Sequence, residues 1–323
     1  MDKDKGIKKW FSDFKKQGSL QLMVIPGILY FLLFSFVPMA GLIIAFKDYD
    51  ILSSFSTAEW AGLKNFELIA KDKFFWESVV NTLGISFLKL IIGFPITIIF
   101  AVMIFMVTRK YFQRTVQTIS YLPHFLSWVV LGGMMLNWFS TRGLFNQLLM
   151  KLGLVTEGKN FLLEADNYWW IAALSDVWKE SGWGTILYLS AMTGIDTNLF
   201  EAAEIDGASK FQQTFYIIIP SIKNMIGLNF ILSISGMLNS NLDQTLVLMN
   251  SQNQPKAEVI SSYVYRLGLV QGDFSYSTAA GLGISIVSLI LLLSANKITK
   301  KLTDTSIFSE KNYEEKFQSK KIL

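Results

Sequence analysis

Asn81, Tyr121, His124, Trp128, Trp183, Tyr188, Asn229 and Asn239 supply the two kinds of group that hold a polar ligand in an apolar setting. Amides and hydroxyls exchange hydrogen bonds, and aromatic faces stack. These residues lie in or just after long apolar runs, where a polar side chain tends to face a bundle interior or a water-filled path. As residue types alone they suit a carbohydrate, a peptide or a lipid path. Each also has a packing alternative: Trp and Tyr near span ends serve as interfacial anchors, and Asn81 and Asn229 can simply bond neighbouring helices. His124 follows Pro123 and reads as a structural hydrogen-bonding group rather than a proton carrier. Asp176, Lys179 and Glu180 fall within helical turns of one another and are expected to pair among themselves, with a gate as the second reading.

Other chemistries are excluded by composition. With no cysteine there is no disulfide, zinc–thiolate site or thiol catalysis, and a lone histidine leaves no metal-binding pair. Gly153–Gly158–Lys159 has the spacing of a P-loop, but Asn160 stands where a Ser or Thr would hold magnesium. The match is coincidental, and the chain is expected to lack an ATP site and any cofactor of its own. Paired acids or a Ser/His arrangement suited to a membrane enzyme are missing too. The net charge of +4 fits basic loops beside a membrane better than nucleic-acid binding.

These residues are positioned by an all-α, polytopic membrane architecture. Of the 323 residues 51% are hydrophobic and 17% charged, against about 25% charged in soluble domains. The apolar residues gather into runs long enough to cross a hydrocarbon core of about 30 Å. Six helical spans are predicted, at 22–46, 79–107, 115–138, 169–190, 214–236 and 278–296. The fourth is interrupted by Asp176, Lys179 and Glu180 and is expected to be kinked or partly water-lined. The run Leu22–Phe46 is too long for a signal peptide and reads as a retained anchor. Lysines and arginines before the first span, between the second and third, and after the sixth predict cytoplasmic termini. The chain thus divides into a cytoplasmic segment 1–21, a transmembrane domain 22–296 and a cytoplasmic tail 297–323. In the first segment Ile7, Trp10, Phe11 and Phe14 share one face, which suits an interfacial helix on the inner leaflet.

Between the fourth and fifth spans, the loop 191–213 is placed in the cytoplasm by parity with its neighbours. Asn198 and Glu201 have capping-box spacing for a helix start. An apolar, mostly small surface follows, then a turn at Gly207 and a second helical piece from Ala208. Pro220 stands at the entry to the next span, where it can fix a bend. Such a loop suits docking by another protein, or an amphipathic segment resting on its own bundle.

Glu201-Ala202-Ala203, three residues, Gly207, nine residues and Ile217-x-Ile219-Pro220 resemble the E-A-A-x3-G-x9-I-x-L-P pattern of permease subunits of binding-protein-dependent ABC importers. Ile219 replaces the usual leucine. Ile205-Asp206-Gly207-Ala208-Ser209 is similar to the carbohydrate-uptake branch. The stretches Tyr121–Val130, Gly143–Asn146 and Trp178–Leu189 resemble its complex-oligosaccharide type. The resemblance implies that residues 198–212 are coupling helices seated on a cytoplasmic ATPase dimer, with Glu201, Ala202, Ala203, Asp206, Gly207, Ala208 and Pro220 as the coupling residues. It further implies a second homologous permease, an extracytoplasmic solute-binding protein that delivers the oligosaccharide, and ATP with magnesium on the partner ATPase. The location implied is the bacterial cytoplasmic membrane. On that footing the pathway candidates would line a sugar route, and Asp176, Lys179 or Glu180 would offer a contact to an acidic sugar. An ion-coupled secondary transporter is the alternative; it would want a buried carboxylate at mid-span, and spans one, two, three, five and six have none.

Overall fold

Long apolar runs with no water to satisfy their backbone must be helical, and in the computed structural model 79% of the described residues are helical. It describes residues 18–50, 54–239 and 241–303. The interfacial helix expected around Ile7, Trp10, Phe11 and Phe14, and the tail beyond residue 303, lie outside the described residues. The chain divides into two compact units, one from Met1–Ile69 with Leu267–Leu282, the other from Ala70–Arg266 with Gly283–Leu323.

The first unit holds α1 (Gly18–Phe31), which runs on through wider and tighter turns to Phe46, then β1 (Lys47–Asp48), β2 (Glu59–Trp60) and all but the last two residues of α2 (Lys64–Lys71). The two short strands pair antiparallel, Lys47 opposite Trp60. Buried Asn65 ties this hairpin to the helix end by donating to the carbonyls of Ala45 at 2.9 Å and Lys47 at 3.1 Å. The ring of Phe46 stacks on Trp60.

The second unit holds α3 (Lys73–Phe105), α4 (Lys110–Tyr121), α5 (Trp128–Trp138), α6 (Leu144–Lys151), α7 (Tyr168–Thr193), α8 (Thr197–Ile205), α9 (Lys210–Gln213), α10 (Lys223–Ser235), α11 (Leu242–Leu248), α12 (Gln254–Ala257) and α13 (Ile260–Tyr265). A last helix, α14 (Phe274–Thr303), begins in the first unit and ends in the second. Asp72 starts α3 by accepting from the backbone N–H groups of Phe74 and Phe75 at 2.9 and 3.4 Å. At 33 residues α3 is about 50 Å long, more than a hydrocarbon core requires.

Among the described residues, three helical stretches are long and apolar enough to cross a membrane unaided: Leu22–Phe46, Lys73–Phe105 and Phe274–Lys300. Two further pairs qualify only when their arms are taken together. Lys110–Phe125 meets Trp128–Trp138 at 95°, and Lys210–Ser221 meets Lys223–Ser235 at 67°. The apolar runs at 115–138 and 214–236 therefore do not form straight helices. The first breaks because Leu126 and Ser127 are extended, with ψ of 131° and 151°, and Ser127 Oγ starts a new helix by accepting from Val130 N. The second breaks at Ile222, two residues past Pro220, where φ −99° and ψ 8° leave the helical conformation. At 169–190, α7 is one uninterrupted helix through Asp176, Lys179 and Glu180.

α3 and α7 pack side by side and run in the same direction. Gly84 meets Trp169, Lys89 meets Asp176, Gly93 meets Val177 and Thr97 meets Gly184, in the same order along both helices. Small residues allow this approach: a Cβ on Gly184 would stand 2.9 Å from Thr97 Cγ2. Two dry cores form at the ends of the pair. One gathers Ile85, Trp128, Leu131, Met135, Ile171 and Leu248. The other gathers Ala101, Ile104, Leu189, Met192, Ile218 and Ile222. The stretch of α3 and α7 between them is where polar residues collect.

Candidate functional site

Between the two cores lies a cavity of about 560 Å³. α3 contributes Ser86, Lys89 and Thr97, α7 contributes Asp176, Glu180, Ser181 and Tyr188, and α10 contributes Asn229 and Ser233. Asn239, Asn241 and Gln244 line it from the segment that follows α10. Four amides and several hydroxyls face one void together with three charged groups, which suits a ligand rich in hydroxyls.

The charged groups form two clusters. Lys89 Nζ lies 3.0 Å from Asp176 Oδ1 and 3.4 Å from Gln244 Oε1. Gln244 is held for this role by its own amide, which donates to Ala172 O at 2.9 Å and to Ser175 Oγ at 3.0 Å. In the second cluster Lys179 Nζ donates to Glu180 Oε1 at 2.9 Å and to the carbonyl of His124 at 2.8 Å. His124 Nδ1 is 2.7 Å from Glu180 Oε2, and its ring stacks on Trp183 with centroids 4.4 Å apart. Pairing within the Asp176–Lys179–Glu180 group is therefore only partial. Lys179 and Glu180 pair, whereas Asp176 turns to Lys89 on the neighbouring helix. The sequence reading missed Lys89, because its apolar neighbours mask it in any hydropathy average; its place near the middle of an apolar helix was the available signal.

Of the pathway candidates, Tyr188, Asn229 and Asn239 line the cavity. The others lie elsewhere. Asn81 is buried and donates to the carbonyls of Pro255 and Glu258, each at 3.0 Å, while accepting from Trp169 Nε1 at 3.2 Å. Trp128 is buried in the first core, with Lys179 Nζ 5.7 Å from its ring. Tyr121 and Trp183 meet edge to face at 6.3 Å, beside His124. Tyr121, His124 and Trp183 thus form one cluster where the bent α4–α5 segment meets α7, and Trp183 is 40% exposed.

The 191–213 loop has its own geometry. α8 is capped by Asp196, which accepts from Asn198 N at 3.0 Å. The cap therefore falls two residues before the one expected at Asn198, because Asp196 places a carboxylate acceptor on extended backbone. Gly207 has φ +74°, the left-handed conformation that favours glycine, and it turns the chain out of α8. The second piece starts at Lys210 rather than Ala208, capped by a box in which Ser209 and Gln212 exchange side-chain and backbone hydrogen bonds. Glu201, Ala202, Asp206 and Pro220 are exposed, and Ala203 and Ala208 are half-buried. Large apolar side chains are exposed beside them, with Ile205 87%, Phe211 72% and Tyr216 79% accessible. Lys210 Nζ donates to Glu204 Oε1 at 2.9 Å and spans the turn. That hydrogen bond and the lysine charge hold the Glu204 carboxyl below its ordinary pKa.

Residues 93–304 match the family of binding-protein-dependent transport system inner membrane components. Protein LplB of Bacillus subtilis (strain 168) is 38% identical over 94% of this chain and 95% of its own length. The polygalacturonan/rhamnogalacturonan transport system permease protein YteP of the same organism is 40% identical over 91% of each. Among solved structures, a bacterial ABC transporter involved in the import of the acidic polysaccharide alginate has a chain with TM-score 0.83 and 33% identity, covering 91% of this chain and 99% of that one. The alginate transporter in complex with its alginate pentasaccharide-bound periplasmic protein gives TM-score 0.83 and 34% identity over 92% and 99%.

Proposed function

The chain belongs to the binding-protein-dependent transport system inner membrane component family, and from that premise we propose that it is the permease subunit of an ABC importer for an oligosaccharide. It forms the membrane pathway with a second permease, receives its cargo from an extracytoplasmic binding protein and is driven by a separate cytoplasmic ATPase dimer. ATP and magnesium belong to that ATPase, and this chain has no hydrolytic site. The similarity to YteP and to the alginate importer supports a carbohydrate cargo. The amide-rich cavity between α3 and α7 is the route, and the 191–213 loop is the coupling element.

Six crossings with both termini in the cytoplasm fit this reading: the three continuous apolar helices, the two bent pairs and α7. The parallel packing of α3 and α7 supports counting α4–α5 as a crossing, since the chain must return between them. Segments 1–21 and 297–323 are then cytoplasmic, flanking a permease domain at 22–296.

The observation that carries the reading is the Gly207 turn between two short helices with exposed apolar side chains. A rigid lever of this kind transmits ATPase closure as rocking of the bundle. Gly207→Val places a β-branched residue at φ +74° and is expected to leave membrane insertion intact while abolishing ATP-driven oligosaccharide uptake. Normal uptake by the variant would remove the coupling role.

A further inference from the structure

Two ion pairs in the second unit are built in opposite ways. Glu258, 9% exposed, meets Arg266 in a two-point contact, Nε to Oε1 at 2.7 Å and Nη2 to Oε2 at 3.1 Å. The guanidinium also lies over the Tyr263 ring at 5.3 Å. That pair is closed and geometrically fixed, as a structural clamp should be.

Lys89 and Asp176 are different. They meet through a single short contact, and the second acceptor of Lys89, Gln244, is at the long end of hydrogen-bonding distance. Their side chains remain 21% and 20% exposed, and both line the cavity. An ammonium has three donors, so two acceptors leave one for the void. Lys89 is also the one cation among the residues lining that void. The other lining carboxylate, Glu180, is paired from outside it by Lys179 and held by a contact to His124 Nδ1.

A neutral sugar needs hydroxyl and amide partners, which the cavity already has in abundance. It does not need a cation near the middle of an apolar helix, where charge is costly and marks function. We infer that Lys89 is a carboxylate-binding residue of the pathway, and that the oligosaccharide carried is anionic, built from sugars bearing carboxylates. Asp176 and Gln244 hold the ammonium in place when the cavity is empty, and the substrate carboxylate takes the remaining donor. This rests on the importer reading, whose cavity it assigns.

The test uses the complex as purified with its own partners and placed in lipid nanodiscs. Trimers of galacturonate, mannuronate and glucuronate are titrated against it beside their carboxyl-reduced counterparts, which keep length and linkage but are neutral. At least one uronate is expected to bind about tenfold or more tightly than its reduced counterpart, the effect of one charge-assisted hydrogen bond. The preference should weaken with added salt. Lys89→Met combined with Asp176→Asn should bring the ratio to about one, and Lys89→Arg should keep the preference. Equal affinity for every pair in the wild-type complex overturns the inference, and so does a preference that survives the double substitution. The wild-type ratio needs no variant to fold. ATP-driven uptake by the complex reconstituted in sealed proteoliposomes is read separately: its absence for every sugar removes the importer reading, whereas uptake confined to neutral sugars removes only the role of Lys89.

Discussion

The imidazole of His124 lies flat on the indole of Trp183, with ring centroids 4.4 Å apart and planes 2° from parallel. On its edge, His124 Nδ1 stands 2.7 Å from Glu180 Oε2, and its carbonyl accepts from Lys179. His124 belongs to the tight turn Leu122–Phe125 that ends the first arm of the bent segment, while its three partners are all on α7. The contact fastens the bend to the helix. His124→Ala is expected to lower the stability of the purified protein by about 2 kcal/mol, combining an aromatic stack with a charge-assisted hydrogen bond. His124→Phe should recover part of it through the stack alone. Thermal unfolding of the two variants reads the difference, and no loss in His124→Ala would show that the bend is held elsewhere.

Asn81 ties α3 to the carbonyls of Pro255 and Glu258 and to the indole of Trp169. Asn81→Ala leaves the carbonyls of Pro255 and Glu258 short of a donor, at a cost of about 2–3 kcal/mol, while Trp169 Nε1 keeps its hydrogen bond to Lys256 O at 2.9 Å. The variant should melt earlier, while its folded fraction keeps the wild-type half-saturating substrate concentration. A changed half-saturating concentration with unaltered melting would make Asn81 a substrate contact instead.

Close packing of α3 on α7 depends on residues without bulk. A Cβ at Gly184 would stand 2.9 Å from Thr97 Cγ2. Gly184→Val should therefore destabilise by about 1–3 kcal/mol through overpacking. Thr97→Ala in the same chain should recover some of that loss. An additive pair of effects would mean that the two residues do not meet.

Much of this was legible in the sequence, for reasons that differ by element. The turn at Gly207 was readable because a left-handed residue between two short helices has few chemical solutions. The helical bundle was readable because apolar length alone demands it. The bends were not: a hydropathy window sums over residues 115–138 whether or not Ser127 restarts the helix in the middle. Nor was the Lys89–Asp176 pair, since local spacing favoured Lys179 as the partner of Asp176 and only the packing of α3 against α7 brings Lys89 there. Asn81 was singled out correctly as a polar residue in an apolar run, but the backbone carbonyls that occupy it come from Pro255 and Glu258, far along the chain.

Across the Gly207 turn, the hydrogen bond from Lys210 and its charge hold the Glu204 carboxyl below its usual pKa. A carboxyl depressed in the folded state stabilises above its unfolded value, about 4.5 for this residue type, and that contribution is lost as pH falls through the folded value. Carbon-13 titration of Glu204 should give a midpoint below the ordinary range in the wild type, moving up in Lys210→Met. Coincident midpoints would show that the two side chains do not pair across the turn.

The central claim, that this chain is one subunit of a driven importer, is tested most directly by mass spectrometry of what co-purifies with it from its native membrane in mild detergent. Recovery of a soluble ATPase together with a second, homologous permease is the predicted result. A solitary chain or a homo-oligomer, under conditions that preserve other membrane complexes, would contradict it and return the ion-coupled transporter to first place.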